Sequence, residues 1–212
     1  MVKKSNKSKN KQTSTSNSDQ GKSPYIVALS EIFEIANRNP NNRPGFSPLS
    51  GSEPKYDPHK WNDNPRIKRS HNCYAYVLDR ILSGRKAKPQ PGTFSGYPPL
   101  TDDDYDCDTF YKRIKKDNPS LYKIKFEERC RKGFHKGFLA LADKAVDKDY
   151  HFYRQDEGLW SSKPGSTEIS DIDASGKKII NPALANRNYP SYQYKTPCFF
   201  FCVNPSMTRA HS

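Results

Sequence analysis

An α+β fold is predicted by the order in which two periodicities run along the chain. Helix-spaced apolar residues dominate the first half, and strand-like alternation takes over beyond Asn118, with no internal repeat interleaving the two. Composition supplies the third observation. Only 33% of the 212 residues are hydrophobic, but 13 Tyr, 11 Phe and 2 Trp bring large buried areas per side chain. One core built from aromatics is therefore within reach, and a second full core is not.

Residues 1–24 carry Lys3, Lys4, Lys7, Lys9, Lys11 and Lys22 among Ser, Asn, Thr and Gln, with Asp19 as the lone opposing charge. Such a stretch cannot bury enough apolar area to offset chain entropy, so a basic disordered or extended tail is predicted. From Tyr25 to Arg38 the apolar residues Ile26, Val27, Leu29, Ile32, Phe33 and Ile35 have helical spacing, and a Pro/Asn-rich surface stretch follows to about residue 65. The main domain is expected over residues 66–204, with a short tail over 205–212.

Within that domain the spacing of Tyr74, Val77, Leu78, Ile81 and Leu82 predicts a helix over Asn72–Ser83, capped by Ser70 or Asn72 and stopped at Gly84. A basic helix is predicted near Thr109–Lys116, with Asp102, Asp103, Asp104, Asp106 and Asp108 clustered where its N-terminal dipole favours acids. Strands are predicted at His135–Ala142, Tyr150–Gln155, Leu159–Ser162 and Pro197–Val203.

The formal charge of +13, from 36 basic against 23 acidic residues, suits nucleic acid, an anionic membrane surface or an acidic protein partner, and does not choose among them. No run approaches the roughly 18 to 20 apolar residues of a spanning helix, and no apolar segment follows the first lysines, so neither a membrane span nor a signal peptide is expected. Five cysteines, an odd number at irregular spacing, then read as free thiols of an intracellular protein. Alternation makes Cys198 and Cys202 same-face core positions rather than metal ligands, and no metal or cofactor is expected. The basic clusters at residues 66–69 and 129–132 read as solvated faces.

Two residues carry chemistry. Cys73 falls in the first turn of the strongest predicted helix, where unpaired amides and the positive dipole end favour a thiolate; a small buried core cysteine is the competing reading. A thiol nucleophile needs a base, and His151, on a strand whose alternation sets it with Tyr153 and opposite Tyr150 and Phe152, has the usual placement. A strand histidine bonded to a neighbour is the alternative. With residues 155–158 as the hairpin loop, Ser162 comes to lie across from His151 and orients the ring, with Gln155 and Asp156 as substitutes.

The strings His71-Asn72-Cys73-Tyr74-Ala75-Tyr76, Asp149-Tyr150-His151-Phe152-Tyr153-Arg154-Gln155-Asp156, Trp160-Ser161-Ser162-Lys163-Pro164-Gly165 and Asn181-Pro182 resemble an uncharacterised papain-like, NlpC-type group. Its members occur in large DNA viruses of algae and amoebae and in some bacteria. The resemblance runs from Ser70 to Val203. It implies a papain-like core with a Cys-bearing helix packed on an antiparallel sheet, Cys73 as nucleophile, His151 as base, and Ser162 at the third polar position, which is often histidine in the group. Two functions follow as expectations. One is a thiol hydrolase that attacks an amide or related acyl bond, with amides near Cys73 holding the oxyanion. The other is a non-catalytic minor capsid or virion protein that keeps the fold as a scaffold and ties itself to other virion proteins through its tail and extended segments. The Lys-rich tail is compatible with nonspecific nucleic-acid contact under either.

Overall fold

Asp-Pro and Asn-Pro pairs begin the ordered structure. In the computed structural model, which describes residues 45–82, 88–142 and 148–209, Asp57 caps α1 (Pro58–Asn62) and Asn64 caps α2 (Pro65–Ser70), each with proline in the first turn, where its missing N–H costs nothing. The stretch expected as surface loop thus contains a helical turn, and Trp61 on it is fully buried against Tyr76 and His71. The basic tail, the segment Tyr25–Arg38 and the expected stop at Gly84 lie outside the described residues.

α3 runs only from Cys73 to Val77, far short of the predicted Asn72–Ser83. Asn72 caps it through a bond from the Ala75 N–H. At the other end Asp79 takes a left-handed conformation (φ 48°), and the Asp79 and Arg80 amides bond back to Tyr76 and Ala75. What holds Asp79 in this turn is charge: its carboxylate receives Arg154 at 2.9 Å and Lys60 at 2.8 Å. A tertiary ion pair overrides the apolar spacing that predicted a longer helix.

α4 (Cys107–Asp117) matches its prediction and begins slightly earlier, because Asp106 accepts the N–H groups of Asp108 and Thr109, while Phe110 and Ile114 are buried one turn apart. Asp102, Asp103 and Asp104 form a separate single turn.

The strands are β1 (Tyr122–Ile124), β2 (His135–Leu141), β3 (Tyr150–Gln155), β4 (Trp160–Ser162) and β5 (Thr196–Val203), ordered β1-β5-β2-β3-β4 with every pairing antiparallel. Helices on an antiparallel sheet make the α+β architecture that the order of periodicities predicts. β1 was not foreseen, since three residues carry no usable period.

Alternation divides the core. Leu139, Leu141, Tyr150, Phe152, Phe201 and Val203 face α3 and α4, and Phe138, Ala140, Tyr153 and Trp160 pack on the other face with Ile179 and Tyr194. At Gly137 the helix approaches the sheet so closely that a Cβ would lie 2.7 Å from Val77 Cγ2 and collide with the Phe201 ring.

The cysteines overturn the free-thiol reading. Cys107 is bonded to Cys198, and Cys130 to Cys202, leaving Cys73 free. The expectation that Cys198 and Cys202 share a face also fails. Leu139 pairs with Phe199 and Ala140 with Pro197, so Cys198 is the extra residue of a bulge, turned toward α4. Alternation cannot be carried across a bulge. Among the described residues no helix is long and apolar enough to cross a membrane.

Candidate functional site

The site grows out of a mismatch in strand length. β4 pairs with β3 only over Tyr153–Gln155, which leaves the Tyr150–Phe152 edge of β3 without a strand partner on that side. Cys73, at the start of α3, occupies the gap: its Sγ lies 3.9 Å from the Tyr150 carbonyl oxygen, and the Phe152 backbone bonds to the sulfur. The thiol substitutes for a missing strand neighbour.

Cys73 and His151 both line one cleft of about 600 Å³, together with Tyr105, Asp149, Tyr189, Tyr192 and Tyr194. Their side chains belong to opposite faces of β3, and among the described residues no hydrogen bond joins them. His151 stacks on Tyr194 (centroids 5.0 Å apart, planes at 22°) and meets the Tyr153 ring edge-on at 4.8 Å. Its Nε2 is buried without a hydrogen-bond partner.

Electrostatics run opposite to the expected thiolate. Burial pushes the Cys73 thiol up to about 12, over the opposing pull of the Phe152 backbone bond. Burial also lowers the His151 imidazole to about 3. The ground state at neutral pH is therefore a thiol and a neutral ring. The dipole argument for a thiolate assumed a long helix and an open sulfur, whereas α3 has five residues and Cys73 is 4% exposed.

Ser162 is not where the predicted register puts it. The Asp156 amide bonds to the Leu159 carbonyl, the turn occupies 156–159, and the strand resumes only at Trp160. Ser162 consequently stands opposite Tyr153 rather than His151, and it is not among the residues lining the cleft. Nor do Gln155 and Asp156 serve as substitutes. Gln155 donates to the Ser47 carbonyl, and Asp156 accepts from Arg154 Nε at 2.8 Å and from the Ser161 hydroxyl.

Sequence reasoning missed two buried charged groups on and after the sheet edge, Arg154 on β3 and Lys163 just beyond β4. Arg154 is fully buried, bonds Asp156 and Asp79, and lies over the Tyr76 ring at 3.9 Å. Lys163 is buried with its ammonium on the carbonyls of Lys68, Gly165 and Thr167, fixing the turn that forms one cleft wall. The signal was present in the strings Arg154-Gln155-Asp156 and Lys163-Pro164-Gly165, where charged residues interrupt a strand pattern.

The chain is 32% identical over 134 residues to the insoluble matrix shell protein 1 of Ruditapes philippinarum, a match spanning 63% of this chain and 81% of that protein. No protein-family model and no solved structure matches.

Proposed function

Because this chain belongs to the family of the insoluble matrix shell protein 1 of Ruditapes philippinarum, we propose that it is a structural, non-catalytic component of an insoluble protein matrix. Its α+β domain acts as a covalently braced scaffold, and its partners are other structural proteins of that matrix, engaged in part through the basic tail. The observation that carries this reading is the state of Cys73, a buried neutral thiol whose hydrogen bonds go to the backbone of β3. A sulfur used to finish a sheet edge stabilises the domain and is withheld from chemistry. The two disulfides support assembly in an oxidising compartment rather than the reducing interior expected from the cysteine count.

One observation favours a second reading. Cys73 and His151 share a cleft wall, which suits a papain-like thiol hydrolase whose dyad forms only when a substrate displaces the thiol from the strand. Reactivity of Cys73 separates the two. With four cysteines bonded, a thiol probe at pH 7.5 reports on Cys73 alone. The thiolate fraction falls tenfold per unit of pKa, so a rise from 9.0 to about 12 predicts native labelling about a thousandfold slower than in urea. In parallel, wild type and Cys73→Ala should sediment equally when assembled under oxidising conditions. Native labelling as fast as in urea, or a stoichiometric adduct with an activated acyl probe, rejects the scaffold reading.

A further inference from the structure

The cleft contains a polar atom that the fold leaves incomplete. His151 is 2% exposed, its Nε2 has no partner among the described residues, and the residue lines the cleft. Buried nitrogens are rarely left unbonded, and one lining a cavity is completed by whatever enters. Above it the rings form a stair to the surface. His151 and Tyr194 are near parallel at 22°, Tyr194 and Tyr192 at 23° with centroids 6.1 Å apart, and Tyr192 at the mouth is 43% exposed.

Charge narrows the class of ligand. Among the described residues, Lys88 and Asp149 are the one cation and the one anion in the wall, and Asp149 already accepts the Tyr194 hydroxyl at 2.7 Å. With His151 neutral, the described part of the wall has no net charge to recruit a phosphate or carboxylate. The rest of the wall is uncharged: aromatic faces, short hydroxyls including Ser166 and Thr167, the amides of Asn72 and Gln90, Cys73, two prolines and a glycine. That combination fits a pyranose: its C–H face lies on an electron-rich ring, and its hydroxyls donate or accept, so they satisfy either tautomer of His151. The volume is within the usual range for a small-ligand site. We propose that the cleft binds neutral carbohydrate, with Tyr192 as the stacking platform and His151 Nε2 as the deep hydrogen-bond partner. Such a site goes beyond the scaffold reading and does not depend on it.

The test is calorimetric titration of the full, oxidised chain with three soluble hexamers, of β-1,4-glucose, β-1,4-N-acetylglucosamine and α-1,4-glucose. At least one should bind saturably. Tyr192→Ala should weaken it tenfold or more, and Tyr97→Ala, an exposed ring outside the lining, should leave it unchanged. The ¹⁵N resonance of His151 Nε2 should move on saturation. The proposal is overturned if no hexamer gives saturable heat up to about 10 mM. It is equally overturned if Tyr192→Ala leaves affinity intact, if the Nε2 resonance stays fixed, or if a tyrosine-bearing peptide binds more tightly than every hexamer.

Discussion

Removing either disulfide should lower stability by an amount that chain statistics set. Cys107–Cys198 closes a loop across 91 positions and Cys130–Cys202 one across 72. Loop-closure entropy for loops of this length is about 4 to 5 kcal/mol, and measured bridges commonly return about 2 to 4. The loops overlap between Cys130 and Cys198, so the two contributions should not add. Both bridges end on β5, so losing one loosens the same strand from α4 or from the segment after β1. With a urea m-value of about 2 kcal/mol/M, the unfolding midpoint should fall by roughly 1 to 2 M for Cys130→Ala/Cys202→Ala. Fluorescence of Trp61 and Trp160, both buried, reports the transition. Titration of the unfolded, unreduced chain should find one thiol. Five thiols, or a double variant whose midpoint matches wild type, would refute the bridged scaffold.

Three further outcomes follow from the packing. Gly137→Ala should destabilise by about 1 to 3 kcal/mol, because the new methyl meets Val77 and Phe201 where α3 lies closest to the sheet; an unchanged melting temperature would mean the contact is slack. Arg154→Met should cost about 3 to 5 kcal/mol by stranding Asp156, and pairing it with Asp156→Asn should recover part of the loss, which a thermal-melt cycle measures. Acid should unfold the domain early. His135 and His151 are lowered by burial to about 4 and about 3, so both stay neutral in the fold, whereas the unfolded chain protonates them near 6.5. Their contribution is intact above that pH and is lost as pH falls from about 6.5 toward 4 and 3, costing about 2 kcal/mol each by pH 5. Urea midpoints that stay level between pH 7.5 and 5 would contradict it.

Much of the sheet could be read in advance because its strands obey a period of two wherever both faces are packed. β3 matches residue for residue, and Tyr150 and Phe152 part from Tyr153 as alternation requires. What could not be read depends on partners distant in sequence. The early end of α3 is decided by Arg154 reaching Asp79 across 75 positions, and the bulge at Cys198 is tied to a bond with Cys107. Helix α1 was legible, through Asp57-Pro58, and was overlooked under the weight of surrounding Pro and Asn. For the site, sequence brought Cys73 and His151 to one cleft. It could not foresee their protonation states, which depend on burial rather than on residue type.

The shortness of β4 links these observations. A strand that paired with all of β3 would cover the Tyr150–Phe152 edge, leave Cys73 with no backbone to bond, and close the cleft. As it stands, Lys163 turns the chain away at Ser162, and its three carbonyl bonds fix that departure. Beside the exposed edge, His151 lines the cleft while its buried Nε2 has no hydrogen-bond partner among the described residues. A purely architectural domain gains nothing from keeping such an atom, since repacking the ring with an apolar residue would remove the penalty. His151→Phe therefore discriminates between an idle cleft and a used one. If the cleft is idle, the variant should be as stable as wild type or more so, with matrix assembly unchanged. If the cleft is used, stability should still hold while saccharide binding is lost.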